Sequence, residues 1–235
     1  MGAGMMNVYR AGRPGNARRA FVRRTGGLLA GLWAAGRWAV ARAQAYPQTV
    51  AALSYAFQRE TDAHRHYAAF AGAAQKEGYR GIAYMFTAFA TSEGIHARNF
   101  KDLVTRLGGE VVAAPTPIKT GATKQNLIAA VDDEIDAIDN LYPRTLERMQ
   151  PEGHGEAAKL VKYAWESERQ HRELIQKIRR YTPMLFESVA KTIDEKTGQY
   201  FVCGTCGSTL NEIPNPNCPV CSGPPARYQQ VPIPG

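Results

Sequence analysis

The chain has 235 residues, of which 44% are hydrophobic and 21% charged, so it has the composition of a globular protein with a sizeable core. Its formal net charge is +8, but residues 1–45 carry eight arginines and no acid, and removing those eight from the 29 basic residues leaves 21, equal to the number of acids. Because the folded part has no net positive charge, no basic stripe is expected on it, and nucleic acid is therefore set aside as a partner.

Residues 1–45 have the layout of an export signal. Arg18 and Arg19, followed by x-Phe-Val, resemble the twin-arginine motif, and a moderately apolar run interrupted by arginine ends in a small-x-small sequence at residues 43–45. We expect a cleaved leader, a mature chain that begins near Tyr46 without a stable membrane span, and a periplasmic location. A membrane anchor formed by the leader is the alternative.

Residues 46–181 are predicted to form a bundle of four helices. The helical pattern breaks near Gly78, again from Gly108 to Ala122, and again at Pro151. The middle break is much longer than the others, and one long crossover is typical of ferritin-like bundles. We therefore predict an all-α, ferritin-like four-helix bundle, which residues 182–197 link to a small C-terminal domain.

The apolar stripe of each predicted helix contains polar residues at mid-length. The stripes are found by stepping along the sequence alternately by three and four residues, which keeps the positions on one helix face. Two stripes hold one glutamate each, and two hold a Glu-x-x-His motif. These residues are Glu60 in the first helix, Glu93 and His96 in the second, Glu134 in the third, and Glu168 and His171 in the fourth.

These inward acids predict a pair of metal ions. A buried carboxylate without a partner is costly, and two divalent cations would supply the counter-charge for four of them. One Glu from each of two helices with Glu-x-x-His from each of the other two is the ligand set of ferritin-like di-metal proteins. An isolated motif of this kind is more often exposed or paired with arginine, but here four helices agree. We expect Glu134 to bridge both ions.

The C-terminal domain, residues 198–231, contains all four cysteines of the chain. Cys203 and Cys206 form one Cys-x-x-Cys knuckle, and Cys218 and Cys221 form a second, eleven residues further on. This spacing favours one tetrahedral metal ion over a pair of disulfides. Zinc would make the domain structural, whereas iron would make it a one-electron carrier.

With both modules described, the sequence from about Ala51 to Tyr228 resembles the rubrerythrin family, in which a di-iron bundle is fused to a rubredoxin-like domain. The resemblance implies two Fe ions in the bundle and one Fe, or Zn, at the four cysteines. It also implies that hydrogen peroxide is reduced with electrons from an external donor. Tyr67 and Tyr142 match family tyrosines near the metal pair and are candidate catalytic residues, although either ring could instead be bonded locally.

The sequence departs from the family at Ala137, where the family has a second inward glutamate three residues after the one that matches Glu134. In the family this carboxylate exchanges with the histidine of the second helix, here His96, as the iron changes oxidation state. The exchange is expected to be lost here while the six-ligand core stays. His64, one turn from Glu60, is a candidate substitute.

The function expected from these features is that of a peroxide-reducing di-iron oxidoreductase in oxidative-stress defence. Ferroxidase-type iron oxidation and a non-catalytic, metal- or redox-sensing protein with zinc in the ribbon are the alternatives. The linker is expected to place the ribbon beyond the end of the bundle, about half of a ~40 Å helix from the metal pair. Because family members solve this by pairing subunits head to tail, we expect a homodimer or a larger assembly.

Overall fold

The structure is a computed structural model that describes residues 45–114, 116–179, 182–196 and 198–234. The predicted leader, with Arg18 and Arg19, lies outside the described residues except for its last position. Among the described helices, none is both long and apolar enough to cross a membrane.

The described chain is mostly helical, and the predicted ferritin-like bundle followed by a small ribbon is confirmed. The α-helices are α1 (Pro47–Glu77), α2 (Arg80–Arg106), α3 (Thr123–Asp136), α4 (Tyr142–Met149), α5 (Gly155–Arg179) and α6 (Thr182–Lys196). The third bundle helix consists of α3, a π-helical turn and α4 in succession. Residues 107–122 connect α2 to α3 and form the long crossover.

Carboxylates from other elements fasten the starts of two helices. The side chain of Glu152 accepts hydrogen bonds of 2.7 Å from the backbone N–H groups of Gln48 and Thr49, in the first turn of α1. Glu77 accepts one of 3.1 Å from the N–H of Thr123, where α3 begins. Because the first N–H groups of a helix have no partner within the helix, these contacts stabilise the starts and hold the helices to one another.

The π-helical turn, Ala137–Leu141, was not predicted, since the hydrophobic period continues through it. Pro143 follows it and has no N–H to donate to the carbonyl of Asp139, four residues earlier. Its ring also crowds that carbonyl. A wider turn just before the proline relieves this conflict. Ile138, Leu141 and Tyr142 all remain buried, so the core face of the helix continues into α4.

The bundle core consists of two apolar clusters on either side of a polar layer. The first contains Tyr67, Phe86 and Phe89, and the second contains Phe57 and Phe100. Along each bundle helix the polar residues of the layer fall between members of the two clusters. The apolar clusters therefore close the layer off from solvent at both of its ends.

The ribbon is a three-stranded antiparallel sheet in the order β2-β1-β3. Its strands are β1 (Phe201–Cys203), β2 (Thr209–Leu210) and β3 (Tyr228–Gln230). Val202 pairs with Thr209 on one side and with Gln229 on the other. Val202 and Val231 also join the first apolar cluster of the bundle. The ribbon thus shares a core with the helices.

The expectation that the linker would place the ribbon beyond the bundle's end is wrong. Tyr79, at the start of α2, packs its ring 5.1 Å from that of Phe186, which shows that α6 folds back beside α2. The ribbon then follows α2, where Ser92 donates a hydrogen bond of 2.7 Å to the carbonyl of Gly207. The amphipathic face of α6 explains this course, because it is buried by turning back along the bundle.

Candidate metal centre

The six predicted bundle residues meet in the polar layer, and each is between 0% and 3% exposed. In each Glu-x-x-His motif the two side chains lie on one helix face, one turn apart. The Nδ1 atom of His96 is 2.9 Å from a carboxylate oxygen of Glu93. Likewise, the Nδ1 atom of His171 is 3.0 Å from a carboxylate oxygen of Glu168. Both imidazoles therefore turn the same ring nitrogen toward the carboxylates.

The potential ligand atoms form two groups, and within each group all of them lie within 4.8 Å of one another. Glu93 and Glu168 belong to both groups, whereas Glu60 and Glu134 belong to one each. The two groups are Glu60, Glu93, His96 and Glu168, and Glu93, Glu134, Glu168 and His171.

This arrangement contradicts the expectation that Glu134 bridges two metal ions. Glu134 approaches only the group that contains His171, so Glu93 and Glu168 are the carboxylates placed to bridge. The reason is geometric, since α2 and α5 each supply both a glutamate and a histidine. The two glutamates consequently lie between the two imidazoles.

The residues fit a pair of cations. Within the described part of the chain, one carboxylate oxygen of Glu134 is buried with no hydrogen-bond partner. One oxygen of Glu93 is also buried, with only the Nδ1 atom of His171 nearby, at 3.2 Å. An unpartnered buried carboxylate oxygen costs free energy that a cation would recover. Carboxylate oxygens and imidazole nitrogens are ligands that divalent first-row metals accept. The layer therefore has the charge, the donor atoms and the spacing for two such ions.

Burial and mutual repulsion shape the titration of these acids. Burial, together with the charges of Glu168 and Glu93, raises the pKa of Glu60 to about 7. Burial, together with the charge of Glu168, also raises the pKa of Glu134 well above its usual value. Burial also acts against the charge of Glu168, but hydrogen bonds with His171 and His96 outweigh it and hold that pKa well below its usual value. The layer thus favours a positive charge at its centre.

Two buried tyrosines hydrogen-bond the outer carboxylates. The hydroxyl of Tyr67, on α1, donates to Glu134 on α3 over 2.7 Å. The hydroxyl of Tyr142, which follows the π-helical turn, lies 2.5 Å from a carboxylate oxygen of Glu60 on α1. Burial raises the pKa of both tyrosines well above the usual value, so both remain phenols at neutral pH. Each tyrosine is thus linked to a different ligand group, Tyr67 through Glu134 and Tyr142 through Glu60.

His64 does not reach the centre, so the idea that it replaces a ligand is wrong. Its ring is exposed, and its Nδ1 atom lies 2.6 Å from the carbonyl oxygen of Ala90. A step of four residues from Glu60 turns past the core direction, because a helix has 3.6 residues per turn. The side chain consequently lies against α2 near Gly94 rather than among the ligands.

A cavity of about 50 Å³ leads from the surface to the carboxylates. Its volume is that of one or two water molecules. Ala137 is half-buried in its wall, at the position where the family glutamate would stand. The outer end is lined by Arg59, Ala63, His66, Asp133 and Ala137. Arg59 and His66 were not predicted from the sequence as part of the site. They are seven residues apart and immediately precede Glu60 and Tyr67, which places both at the edge of the inward face of α1.

The four cysteines form a second candidate metal site. The Sγ atoms of Cys203 and Cys221 are 3.8 Å apart, and those of Cys206 and Cys218 are 3.6 Å apart. Both distances are too long for a disulfide, and all four cysteines are free. The two Sγ–Sγ distances match the sulfur–sulfur separation in a tetrahedral site with metal–sulfur bonds of about 2.3 Å. The hydroxyl of Tyr228 lies 3.2 Å from the Sγ atom of Cys218 and 2.9 Å from Ser208 Oγ.

The cysteine site and the bundle centre meet through the backbone of the first knuckle. The Nε2 atom of His96 is 3.0 Å from the carbonyl oxygen of Cys206, which also accepts a hydrogen bond from Ser167. The Nε2 atom of His171 is 3.1 Å from the hydroxyl oxygen of Thr209. Gly207, with φ of +80°, passes so close that a Cβ atom there would overlap His96 Nε2. These contacts orient both imidazoles with Nδ1 toward the carboxylates.

Comparisons with known proteins agree with this geometry. The rubrerythrin of Porphyromonas gingivalis is 30% identical over 181 residues, covering 76% of this chain and 88% of that protein. Nigerythrin of Nitratidesulfovibrio vulgaris is 32% identical over 180 residues, covering 75% and 83%. A solved structure of nigerythrin superposes with a TM-score of 0.64 at 28% identity, covering 77% of this chain and 86% of that one. The family model for Rubrerythrin matches residues 51–179. The chain therefore belongs to the rubrerythrin family, whose members are di-iron oxidoreductases that act in oxidative-stress defence.

Proposed function

We propose that this protein reduces hydrogen peroxide to water with electrons that reach the bundle through an iron centre in the ribbon. The observation that carries the proposal is the contact of His96 with the carbonyl of Cys206. A ferroxidase would need no such contact with an electron-carrying ribbon. A zinc-loaded sensor would not need one either, so the contact favours the relay over both alternatives.

The described residues divide into three metal sites. Glu60 and His96 would hold one iron ion, Glu134 and His171 would hold the other, and Glu93 and Glu168 would bridge them. The four cysteines would hold a third iron ion. When bound, the iron pair supplies the two electrons that break the O–O bond. The reaction consumes one peroxide, two electrons and two protons and gives two molecules of water.

The other residues around the centre position its ligands and control access. The hydroxyls of Tyr67 and Tyr142 hold their protons on the outer carboxylates, which fixes the orientation of Glu134 and Glu60. The two apolar clusters exclude bulk water. The small cavity beside Ala137 suits a molecule as small as hydrogen peroxide. Protons for the reaction would enter along the same cavity, since its outer end is lined by polar groups.

The absence of a carboxylate at Ala137 gives His96 a fixed role in this proposal. Its Nδ1 atom lies among Glu93, Glu60 and Glu168, and its Nε2 atom is held by the ribbon. With no competing anion at position 137, the imidazole keeps its place in both oxidation states. The relay contact would then be maintained throughout turnover.

The proposal is tested by following the ribbon iron during reaction with peroxide. Protein loaded with iron is reduced anaerobically and mixed with hydrogen peroxide, and the absorbance of the oxidised iron–thiolate centre is recorded. We expect rapid reoxidation of the ribbon in the wild type. In Glu93→Ala, which lacks a shared carboxylate, we expect it to be at least about a hundredfold slower. Equal rates would mean that peroxide reacts with the ribbon directly, and zinc at the cysteines would exclude the relay.

We also propose that the protein is exported and works in the periplasm. Arg18 and Arg19 stand before an apolar run and a small-x-small site, as in twin-arginine signals. Replacing both by lysine should leave the precursor in the cytoplasm, as cell fractionation would detect. Normal processing of this variant would contradict the proposed route, and retention of the wild type in the membrane fraction would indicate an anchor.

A homodimer or larger assembly remains part of the proposal. The contacts between ribbon and bundle described above lie within one chain, but each is local and could be exchanged between two identical subunits. Light scattering of the mature protein would measure its mass. A fully active monomer would contradict the proposed assembly.

A further inference from the structure

A second and larger groove lies on the outside of the bundle, between α1 and the segment that runs from the π-helical turn into α4. Its volume is about 400 Å³, which is within the range of small-molecule sites. Its lining includes Tyr55 and Arg59 from α1, Asp136 from the end of α3, and Arg144 and Arg148 from α4. None of these residues belongs to the ligand groups of the metal centre.

The charges in this groove are unbalanced, since three arginines face a single carboxylate. Arg59 pairs with Asp136 over 3.0 Å. The Nε atom of Arg148 donates a hydrogen bond to the neutral side chain of Gln48. The side chain of Arg144 forms no hydrogen bond or ion pair with any residue in the part of the chain that the structure describes. Two guanidinium charges are therefore left without a counter-charge.

Helix geometry brings these side chains together. Arg144 and Arg148 are one turn apart on α4, and Tyr55 and Arg59 are one turn apart on α1, so each helix presents two of them on one face. Three exposed or half-exposed arginines elsewhere in the described chain each have a carboxylate partner instead. Their pairs are Arg65 with Asp62, Arg106 with Glu156, and Arg169 with Glu166. Other arginines of the described chain, such as Arg98, which contacts only the carbonyl of Gly204, also have no carboxylate partner, so Arg144 and Arg148 are distinguished by lying together in one groove.

The groove has the chemistry to recognise a phosphate group. The planar fork of a guanidinium matches phosphate oxygens, and Arg144 and Arg148 present two such forks side by side. Tyr55, which is 57% exposed, adds an aromatic ring from α1. We propose that this groove binds a phosphate-bearing small molecule of about the size of a nucleoside monophosphate, with the phosphate on the arginines and the planar group against Tyr55.

The leader of this chain does not suit the groove, because residues 1–45 carry eight arginines and no acid and would be repelled by it. A bound phosphate would contact Arg59, which also lines the outer end of the small cavity. It would not contact the metal ligands, however. The inference is therefore independent of the proposed peroxide chemistry.

Isothermal titration calorimetry of the mature, metal-loaded protein tests this site with AMP, inorganic phosphate, adenosine and phosphatidylglycerol vesicles as probes. We expect one AMP per chain, bound more tightly than inorganic phosphate, with affinity that falls as salt is added. Adenosine should not bind measurably. Failure of AMP to bind would overturn the inference, and binding of the vesicles without AMP would assign the groove to a lipid headgroup instead. Equal affinities for AMP and inorganic phosphate would overturn the proposal that Tyr55 contacts the planar group of the ligand.

Variants locate the binding on the groove. The double variant Arg144→Gln/Arg148→Gln should lose at least about tenfold in affinity for AMP, since it removes two charge-assisted contacts. Arg144→Lys, which keeps the charge but not the fork, should lose less. Arg106→Gln, an exposed arginine outside the groove, is the matched control and should bind as the wild type does. Unchanged affinity in the double variant would overturn the inference. Because both arginines are exposed, thermal melting should show that the variants are folded.

Discussion

One imidazole, that of His96, contacts both candidate metal sites of this protein. Its Nδ1 atom is 2.9 Å from the carboxylate of Glu93, and its Nε2 atom is 3.0 Å from the carbonyl of Cys206. Cys206 is itself one of the four cysteines of the ribbon. The sulfur of Cys206 is therefore connected to an imidazole of the bundle centre through the backbone of Cys206 and a single hydrogen bond. The first prediction tests this contact.

Substitution of Gly207 should separate the ribbon from His96. The residue has φ of +80°, and a Cβ atom there would overlap the imidazole. In Gly207→Ala we expect the iron-loaded ribbon to be reoxidised by peroxide at least about tenfold more slowly, while the metal content is unchanged. Stopped-flow absorbance and metal analysis would measure both.

Gly204→Ala is the matched control, because a Cβ atom at Gly204 meets its nearest neighbour at an ordinary 3.5 Å. It should retain the wild-type rate. If Gly207→Ala also reacted at the wild-type rate, electrons would not depend on the contact with His96.

The second prediction follows from the two overlapping ligand groups. Glu93→Ala or Glu168→Ala removes a carboxylate common to both groups, so we expect both bundle ions to be lost. Glu60→Ala or Glu134→Ala affects one group, so one bundle ion should remain. Counting the ribbon ion, metal analysis should then give about one ion per chain for Glu93→Ala and Glu168→Ala. It should give about two ions per chain for Glu60→Ala and Glu134→Ala. Loss of both bundle ions in Glu134→Ala would restore the bridging role that the geometry denies it.

The sequence was sufficient to predict which residues enter the polar layer, because the helical period determines which side chains share a face. Glu60 and Glu134 were recognised in this way. The roles of the acids within the layer could not be predicted, since they depend on the distances between helices. The same limit applies to His64, where an error of a fraction of a turn moves the side chain from the core to the surface.

Tertiary contacts of the ribbon were also beyond the reach of the sequence pattern. The sequence identified residues 182–197 as the linker to the ribbon, but not the direction in which this segment, now seen as helix α6, would turn. The close approach of Gly207 to Ser92 depends on that direction. The π-helical turn was missed because Pro143 can be accommodated in several ways, and hydrophobic periodicity does not distinguish among them.

The third prediction concerns pH. Burial raises the pKa of Glu60 from 4.5 to about 7, so protein stripped of metal holds a proton there at pH 6. A metal ion must displace this proton and also those of Glu134, His96 and His171, whose pKa values are raised as well. The apparent affinity of the bundle should therefore rise by at least about fivefold between pH 6 and 7. Chelator competition at several pH values would measure it.

The stability of the stripped protein should change in the opposite direction. A carboxyl whose folded-state pKa is raised favours folding at low pH, and this stability is lost as the pH rises from about 4.5 to 7. Denaturant unfolding of the stripped protein should show this loss. Glu60→Gln, which cannot ionise, is the control and should lessen it. Greater stability of the stripped wild type at pH 7 than at pH 5 would contradict the assignment.

The fourth prediction concerns the ribbon potential. The hydroxyl of Tyr228 lies 3.2 Å from Cys218 Sγ and can donate a hydrogen bond to the thiolate. Such a bond stabilises the more negative, ferrous form of an iron–thiolate centre. We therefore expect Tyr228→Phe to lower the ribbon potential, as spectroelectrochemistry would measure. Tyr200→Phe is the matched control and should leave the potential unchanged, because this buried tyrosine of the ribbon packs against Tyr84 of the bundle. A potential that did not move in Tyr228→Phe would show that the hydroxyl donates only to Ser208.

The last prediction concerns the departure at Ala137. This residue lies in the π-helical turn and lines the small cavity, so a longer side chain there would point toward the carboxylates. In Ala137→Glu, the added carboxylate would bring one more negative charge to the iron pair. An anionic ligand stabilises the ferric state more than the ferrous state, so we expect the di-iron potential to fall and reoxidation by peroxide to become faster.

Ala137→Gln has nearly the same shape without the charge, and it separates this electrostatic effect from simple filling of the cavity. We expect Ala137→Gln to keep the wild-type potential and to react with peroxide more slowly, because its side chain narrows the approach to the centre. Redox titration and single-turnover kinetics of the two variants would distinguish the effects. Equal potentials in Ala137→Glu and Ala137→Gln would mean that the introduced carboxylate stays outside the centre. In that case the three charged or polar groups at the outer end of the cavity, Arg59, His66 and Asp133, would be the next residues to test.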